Sequence, residues 1–288
     1  MNSAIEMMLN RYAIQNNTDR ENAVKEILQE IALAGLSRGG FFDKAAFYGG
    51  TCLRIFHGLD RFSEDLDFAL LEREPSFQLE TFFPSLQKEF TSYGIDLDIE
   101  AKHKNTETNV QSAFLKGDTL TLLVSFFPAS EDARKVFSGR KTKIKFEIDT
   151  DNPAGGKTEY AYRLLPSPYE IRIFDEPTLF SGKIHALLCR EYAHRVKGRD
   201  YYDYLFYIGK GTGINLPYLE NKLKDSEKLT EETRLDMDLL KRLLTDRFRT
   251  VDLASAKEDV LPFVPAGYRL ELWKPEFFLS TVNSLHFS

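Results

Sequence analysis

Cysteine and long apolar runs are both scarce in this sequence. Its 288 residues include two cysteines, Cys52 and Cys189. They lack the paired spacing of a zinc site, and we expect both to be reduced. A membrane-spanning helix needs roughly 20 consecutive apolar residues, and no segment comes close to that length. Because the first residues are polar and charged, unlike a secretory signal, we expect a cytoplasmic protein without membrane contact.

Positive charge is not in excess either. Lys and Arg total 38 against 44 Asp and Glu, which gives a formal net charge of −6. This balance argues against a protein that coats nucleic acid without specificity, but it is compatible with a local basic patch. Basic residues concentrate in the segments 134–145 and 190–199. Each segment fits contacts to an RNA backbone, and each equally fits a solvated loop or helix face.

Apolar residues make up 42% of the chain, enough to fill the core of one large domain or two of ordinary size. Their spacing predicts an amphipathic helix over 21–36 and a short strand from Ala45 that enters a turn at Gly49-Gly50. A helix over about 52–57 and a strand over 63–70 follow. Further along we predict a helix over Pro75–Tyr93 and strands over Ile95–Ala101, Leu120–Phe127, which we place centrally in the sheet, and Thr142–Asp149.

The pattern changes after the turn-rich segment 149–157 and the prolines Pro166 and Pro168. Beyond Pro177 the periodicity is helical almost throughout. We therefore predict an α+β fold. Residues 1–165, including the N-terminal helix, are predicted to form a mixed β-sheet core with flanking helices, and residues 166–288 a mainly helical C-terminal domain. The predicted helices of the second part are Thr178–Val196, Arg199–Ile208, Leu216–Lys224 and Thr230–Arg247.

The segment FYGGTCLRIFHGLDRFSEDLDF, residues 47–68, concentrates polar groups that suit chemistry. On the predicted strand, Asp65 and Asp67 share a side with Ser63, with the two carboxylates about 6.5–7 Å apart. Two such acids repel unless a cation lies between them, and hard oxygen ligands suit Mg²⁺. The turn at Gly49-Gly50-Thr51 offers N–H groups and a hydroxyl to an anion. The segment predicts a site for a metal-bound nucleotide, and the alternative is a solvated edge strand after an ordinary turn.

The same residues resemble a known family. Gly49-Gly50-Thr51, then Leu53-Arg54, Gly58 and Arg61-x-Ser63-x-Asp65-x-Asp67, resemble the first motif of the AbiEii/AbiGii toxin family. That family belongs to the DNA polymerase β-like nucleotidyltransferase superfamily, so the resemblance implies that the mixed β-sheet core of residues 1–165 is of the nucleotidyltransferase type. Three later segments resemble its second, third and fourth motifs in order: Lys145-Phe146-Glu147, Lys183 to Arg190, and Arg199-Asp200-Tyr201-Tyr202-Asp203.

The resemblance implies one or two Mg²⁺ (or Mn²⁺) ions held by Asp65, Asp67 and a third carboxylate. Either Glu147 or Asp149 could supply it, because alternation places both on one face of their strand. The resemblance favours Glu147. Three acids of another predicted strand alternate in the same way and fit a solvated face better: Asp96, Asp98 and Glu100.

The later motifs add two candidate catalytic residues. Lys183 could reach triphosphate oxygens, and Asp200 could orient that lysine or accept the proton of an acceptor hydroxyl. Without the resemblance, a surface lysine and a solvated Asp200–Asp203 pair would be the simpler interpretation. The residues expected to contact the NTP are Gly49, Gly50, Thr51, Arg54, Arg61 and Ser63.

Together these features predict a metal-dependent nucleotidyltransferase toxin of a toxin–antitoxin or phage-defence system. By resemblance it transfers nucleotides from NTP to an RNA acceptor, with the 3′ end of tRNA the first candidate, and has a cognate antitoxin protein as partner. Two alternatives belong to other classes. One is a non-catalytic module that retains the fold to bind RNA or a protein, and the other is a protein phosphotransferase in which Lys183 and Asp200 play kinase-like roles.

Overall fold

A computed structural model describes residues 3–74, 76–103, 119–136, 141–190, 195–264 and 267–288. Parts of three predictions lie outside these ranges: the helix start at Pro75, Arg140 of the first basic segment, and residues 191–194 of the second basic segment. The helix predicted over Thr178–Val196 ends at Cys189. Within the described residues, no helix combines the length and apolar character needed to cross a membrane.

Seven strands form one mixed sheet in the order β3-β4-β5-β2-β1-β7-β6. Strand β1 pairs antiparallel with β2 and parallel with β7, while β2 pairs parallel with β5. The strands are β1 Ala45–Tyr48, β2 Leu66–Leu70, β3 Ile95–His103, β4 Thr119–Pro128, β5 Thr142–Asp149, β6 Thr158–Arg163 and β7 Tyr169–Phe174.

Eleven α-helices are assigned in the described ranges. They are α1 Ser3–Leu9, α2 Asn17–Arg38, α3 Gly49–Phe56, α4 Phe83–Ser92, α5 Glu131–Val136, α6 Glu176–Cys189, α7 Gly198–Lys210, α8 Leu216–Asp225, α9 Met237–Thr250, α10 Leu253–Val260 and α11 Pro275–Thr281. Short 3₁₀ turns occupy Phe41–Asp43, Leu79–Phe82, Leu261–Phe263 and Val282–Ser284.

One face of the sheet is apolar and forms part of the core, and helix α2 packs against this face. Asn16 caps this helix by accepting a hydrogen bond from the Asp19 N–H at 2.9 Å, which satisfies an N–H group that the first turn leaves free. On the sheet, the rings of Phe47 and Phe68 lie 5.3 Å apart and those of Phe68 and Phe146 lie 6.2 Å apart. Because strand side chains alternate between faces, Asp67 and Glu147, the neighbours of these phenylalanines, point to the opposite face.

The C-terminal helices pack around a second aromatic cluster. The rings of Tyr204 and Phe248 are 5.2 Å apart, and those of Phe248 and Phe278 are also 5.2 Å apart. Helix α6 begins directly after β7, where the Asp175 side chain accepts a hydrogen bond from the Thr178 N–H at 3.0 Å. The sheet thus leads without a long linker into the helices that approach its polar face.

The predicted fold class is confirmed, and most elements lie where the sequence placed them. Strand β5 matches its predicted bounds, and β1 begins at the predicted residue. The Leu120–Phe127 strand is interior but second from the edge, since β3 lies outside it. The segment predicted as a helix over Pro75–Tyr93 is a 3₁₀ turn and the shorter helix α4, and the helix predicted from Thr230 begins at Met237.

Two strand predictions need larger corrections. The strand predicted over 63–70 begins at Leu66, so Ser63 and Asp65 precede it and do not alternate with Asp67 on a strand. Strands β6 and β7 were not predicted, and the expected boundary at 165/166 falls between them although they are antiparallel partners. The sheet therefore extends to Phe174, and the division into two domains stays a prediction with its boundary moved to about residue 175.

Helix α7 contacts α10 so closely that Gly198 has no room for a side chain. A Cβ there would lie 1.7 Å from the Ala256 carbonyl oxygen, whereas a Cβ at Gly209 near the end of α7 would meet nothing within 4 Å. We expect Gly198→Ala to lower the free energy of unfolding by roughly 1–3 kcal/mol, as overpacking does. Gly209→Ala should leave it unchanged or raise it by up to about 1 kcal/mol. Urea unfolding measures both, and equal effects of the two substitutions would contradict the packing.

Candidate active site

Asp67 and Glu147 are neighbours across the β2–β5 ladder. The parallel register pairs Asp67 with Glu147 and Ala69 with Asp149, so the first two carboxylates project side by side from the polar face. Asp65 lies two residues earlier, in the segment that leads into β2. The buried Thr51 hydroxyl donates a hydrogen bond to the Asp65 carbonyl, which fixes this segment against α3.

The two glycines at the start of α3 are required by close contacts with this segment. Gly49 has φ of +81°, and a Cβ on it would lie 2.1 Å from Oδ2 of Asp67. A Cβ on Gly50 would lie 2.8 Å from both Nη2 of Arg61 and Oγ of Ser63. Any side chain at these positions would displace the acid or the arginine. The glycine pair therefore allows the first turn of α3 to approach the carboxylates directly.

The surroundings of Asp65 and Asp67 disfavour the charged forms of their carboxyl groups. Burial, then the charges of Glu147 and Asp65, raise the pKa of Asp67 from its usual 3.8 to about 7, although Lys183 and Lys145 act in the opposite direction. Burial also raises the pKa of Asp65. Lys145, on the same face of β5, forms an ion pair with Glu147. A cation placed among these acids would relieve their repulsion.

Asp149 lies in a different setting. It pairs with Ala69, two residues further along β5 than Glu147. Its Oδ1 accepts a hydrogen bond from the Asp151 N–H at 3.1 Å, and its Oδ2 lies 3.9 Å from Nζ of Lys222. Glu147, and not Asp149, is therefore the acid that lies directly beside Asp67.

The donor set suits a hard divalent cation, because oxygen ligands of high charge density are what Mg²⁺ and Mn²⁺ prefer. In the described part of the chain, however, no three His, Cys, Asp or Glu side chains are already arranged around one point as metal ligands. The ion pair between Lys145 and Glu147 accounts for part of this, since it holds the glutamate on a lysine of its own strand. The residues therefore fit a metal whose binding displaces that lysine.

A cleft of about 250 Å³ opens beside the acids. The sheet forms its floor, and helices α6 and α8 form its walls. Acidic and basic groups thus face one another across a space that adjoins the first turn of α3. Its lining includes Tyr48, Gly49, Gly50, Asp67, Thr119, Glu147, Asp149, Thr178, Lys183, His185, Arg190, Tyr207, Tyr218 and Lys222.

Lys183 is held on the cleft wall by two aspartates of α7. Its Nζ lies 2.8 Å from Oδ1 of Asp200 and 2.9 Å from Oδ2 of Asp203. Asp200 also pairs with Arg190 at 2.5 Å. Burial opposes the lysine's charge, but the two aspartates outweigh it and raise the pKa of Lys183. Burial likewise opposes the charge of Asp200, yet Arg190 and Lys183 lower its pKa overall.

The two candidate arginines form internal contacts. Arg61 is almost fully buried and makes two 2.6 Å hydrogen bonds to the carboxylate of Asp203. Arg54 bonds to Glu26 at 2.8 Å and stacks over the ring of Phe62. Arg61 thereby joins the loop before β2 to α7, whereas Arg54 is not among the residues that line the cleft.

The structure brings half of the sequence-predicted site residues to a single cleft, which is lined by Gly49, Gly50, Asp67, Glu147, Asp149 and Lys183. The other six are not among its lining residues: Thr51, Arg54, Arg61, Ser63, Asp65 and Asp200. Thr51 and Arg61 hold neighbouring segments in place, Thr51 through its hydrogen bond to the Asp65 carbonyl and Arg61 through its bonds to Asp203. Sequence reasoning missed Tyr48, Tyr218 and Lys222, and it assigned neither Lys145 nor Asp203 to the nucleotide site although both lie in the quoted motifs. The places of these side chains depend on how the strands pair and how the helices pack onto the sheet.

Comparisons with known proteins place the chain in a family. The family model of the nucleotidyl transferase AbiEii toxin, of a type IV toxin–antitoxin system, matches residues 31–279. The chain therefore belongs to a class of nucleotidyltransferases, and within that class to the AbiEii toxin family. Membership in a toxin–antitoxin family implies an antitoxin partner.

Two solved structures share the fold. JHP933 from Helicobacter pylori is 18% identical with a TM-score of 0.52, over 91% of this chain and 90% of its own. A candidate nucleotidyltransferase from H. pylori is 19% identical with a TM-score of 0.51, over 90% of this chain and 92% of its own. No curated protein matches the sequence.

The raised pKa of Asp67 predicts a pH-dependent stability. The folded protein binds the Asp67 proton more tightly than the unfolded chain does, so this group lowers the free energy of unfolding as pH rises from about 4 to about 7. Asparagine has no proton to lose in this range, so the free energy of unfolding of Asp67→Asn lacks this decrease. In EDTA at pH 8 the variant should be more stable than wild type by roughly 2–4 kcal/mol, and the difference should shrink towards pH 4.

Urea unfolding at several pH values measures this effect, and Asp98→Asn on the exposed face of β3 is the matched control. A difference between Asp67→Asn and wild type that does not vary with pH would contradict the burial and repulsion described here.

Proposed function

We propose that this chain transfers nucleotides from an NTP to an RNA acceptor in a reaction that depends on Mg²⁺ or Mn²⁺. The observation that carries the proposal is the pairing of Asp67 with Glu147 beneath Gly49, beside a cleft that also contains Lys183. Asp65, Asp67 and Glu147 would hold the metal. When bound, a divalent cation in such a site neutralises phosphate charge and lowers the pKa of an attacking hydroxyl.

The chain's own groups provide positioning and charge. The first turn of α3 directs backbone N–H groups towards the acids, where phosphate oxygens would bind. Lys183 would offset charge on the triphosphate, and its two aspartate partners hold its ammonium group on the cleft wall. Asp200 could alternatively accept the proton of the acceptor hydroxyl, although its low pKa makes it a weak base. Positioning of Lys183 is the role that its contacts support better.

The acceptor we propose is RNA, with the 3′ end of tRNA first. Basic residues support this choice. Lys25, Lys143 and Arg20 line a second cavity of about 530 Å³ that also contains Glu64, the residue next to Asp65. Phosphate groups of an acceptor strand could contact these cations while the strand's end reaches the acids. A role in phage defence and a cytoplasmic location belong to the same proposal.

Labelling distinguishes this function from its alternatives. The protein is incubated with total cellular RNA and each of four α-labelled NTPs, and the labelled products are sized. We expect label from at least one NTP in RNA of discrete size, dependent on Mg²⁺ or Mn²⁺. Label in protein from γ-labelled but not α-labelled ATP would indicate a phosphotransferase. Absence of metal-dependent transfer and of NTP binding would indicate a binding module.

Substitution of the acids tests their roles in transfer. Asp67→Asn and Glu147→Gln should each reduce transfer from α-labelled NTP by at least about 10²-fold, because each removes a metal-binding charge. Asp149→Asn should reduce it less than Glu147→Gln, and Asp98→Asn should leave it unchanged. Initial rates with saturating RNA measure these effects. Equal losses in Glu147→Gln and Asp149→Asn would contradict the choice of Glu147.

Lys183 provides a separate test. Lys183→Ala should lower kcat/KM for NTP by roughly 10²-fold, as loss of a preorganised cationic contact does. It should also leave Asp200 and Asp203 without one of their partners, so folding is checked by circular dichroism. Lys224→Ala, which removes a lysine paired with Glu220 on α8, is the matched control. A Lys183→Ala variant that folds and retains full kcat/KM would contradict a role at the triphosphate.

A further inference from the structure

Among the described strands, β6 is an edge of the sheet, and its surface is unusual. One side of β6 pairs with β7, and no described strand pairs with its other side. Alternate residues at this edge are large and exposed: Tyr160 is 60%, Tyr162 72% and Leu164 66% exposed. The opposite edge, β3, carries the exposed carboxylates of Asp96 and Asp98. Charges of that kind protect a sheet edge from pairing. β6 itself carries none on its tyrosine face, where Arg172 of β7 lies over the Tyr160 ring and donates a hydrogen bond to its hydroxyl.

The direction of the free backbone groups on β6 can be derived from its pairing with β7. The Lys157 carbonyl accepts a hydrogen bond from the Asp175 N–H at 3.0 Å. In an antiparallel pair, successive residues direct their N–H and C=O groups to alternate sides. Odd-numbered residues therefore bond to β7. Thr158, Tyr160 and Tyr162 direct their groups outward, where a further strand would bind.

The sequence of this strand is complementary to itself. If two copies pair antiparallel about Ala161, Tyr160 of each copy lies opposite Tyr162 of the other, and their outward N–H and C=O groups exchange hydrogen bonds. Glu159 of each copy then lies opposite Arg163 of the other, on the second face. Aromatic pairs and opposite charges at facing positions both stabilise paired strands.

Neighbouring registers are less favourable. A shift of the axis by one residue towards Tyr160 places Lys157 opposite Arg163, which is a repulsive pair. A shift towards Tyr162 places Pro166 opposite Thr158, and proline cannot donate to the ladder. The Lys157–Arg163 repulsion and Pro166 thus disfavour the two neighbouring registers and leave the register about Ala161 as the favoured one. Arg163 already contacts Glu30 at 3.1 Å, and its guanidinium has further donors for a second carboxylate.

We propose that a second copy of this chain binds at β6, joining the two sheets into one through a two-fold axis at Ala161. An axis perpendicular to the sheet keeps equivalent faces on the same side, and the tyrosines share their face with Asp67 through the β6–β7, β1–β7 and β1–β2 registers. Both clefts would open to that face. Since two short strands bury less than a standard interface of about 1,600 Å², the dimer is weak. This inference does not depend on the proposed reaction.

Charge substitutions at the exposed tyrosines test the dimer without disturbing the core. Sedimentation velocity over a concentration series should show wild type moving from 33.2 kDa towards twice that mass. Tyr160→Lys/Tyr162→Lys should remain monomeric, and so should Tyr160→Glu/Tyr162→Glu, because each places like charges opposite one another. An equimolar mixture of the two variants should dimerise again through Lys–Glu pairs.

Asp96→Lys/Asp98→Lys on the opposite edge is the matched control and should dimerise like wild type. Circular dichroism confirms that each variant is folded. A wild-type protein that stays monomeric over the whole series would overturn the proposal. Lysine or glutamate variants that dimerise alone, or a mixture that stays monomeric while wild type dimerises, would also overturn it.

Discussion

The structure depends on the carboxylates of Asp67 and Glu147, which are held side by side in a partly buried position. Parallel pairing of β2 with β5 sets Asp67 beside Glu147, and neither can move away without breaking the ladder. Burial of the Asp67 carboxylate and its repulsion by Glu147 and Asp65 both destabilise the folded chain, and together they raise the pKa of Asp67, burial contributing most. A site of this kind is stable enough to persist only if cations offset this destabilisation. Lys145 and Lys183 do so in part, and a divalent ion would do so more completely.

The surrounding structure serves the same constraint. Glycine at residues 49 and 50 lets α3 direct its first turn at the acids, because any side chain there would collide with Asp67 or Arg61. The helical part of the chain contributes through Asp203, which accepts from Arg61 of the first motif and contacts Lys183 of the third. This one buried carboxylate joins the sheet's acidic segment to the cleft wall. The helices are therefore part of the site.

The predictable part of the site consisted of what is local in sequence. Asp65, Asp67 and the glycine turn lie within 20 residues, and alternation in β5 placed Glu147 and Asp149 on one face. The choice between those two needed the register with β2, which no local pattern contains. Arg54 and Arg61 were predicted as phosphate contacts because charge alone cannot distinguish an arginine in a cleft from one paired with a carboxylate inside the fold, as Arg54 is with Glu26 and Arg61 with Asp203. Strands β6 and β7 escaped prediction because prolines and tyrosines around residue 165 resemble a linker, and only pairing with β1 makes them part of the sheet.

The central claim is that Asp67 and Glu147 form a divalent-cation site next to the cleft. It is tested most directly by titrating Mn²⁺ into the protein with a non-hydrolysable NTP analogue and measuring free Mn²⁺ by electron paramagnetic resonance. Wild type and Asp149→Asn should remove Mn²⁺ from solution, whereas Asp67→Asn and Glu147→Gln should bind it at least about tenfold more weakly. Equal Mn²⁺ binding by wild type and Asp67→Asn would contradict the claim.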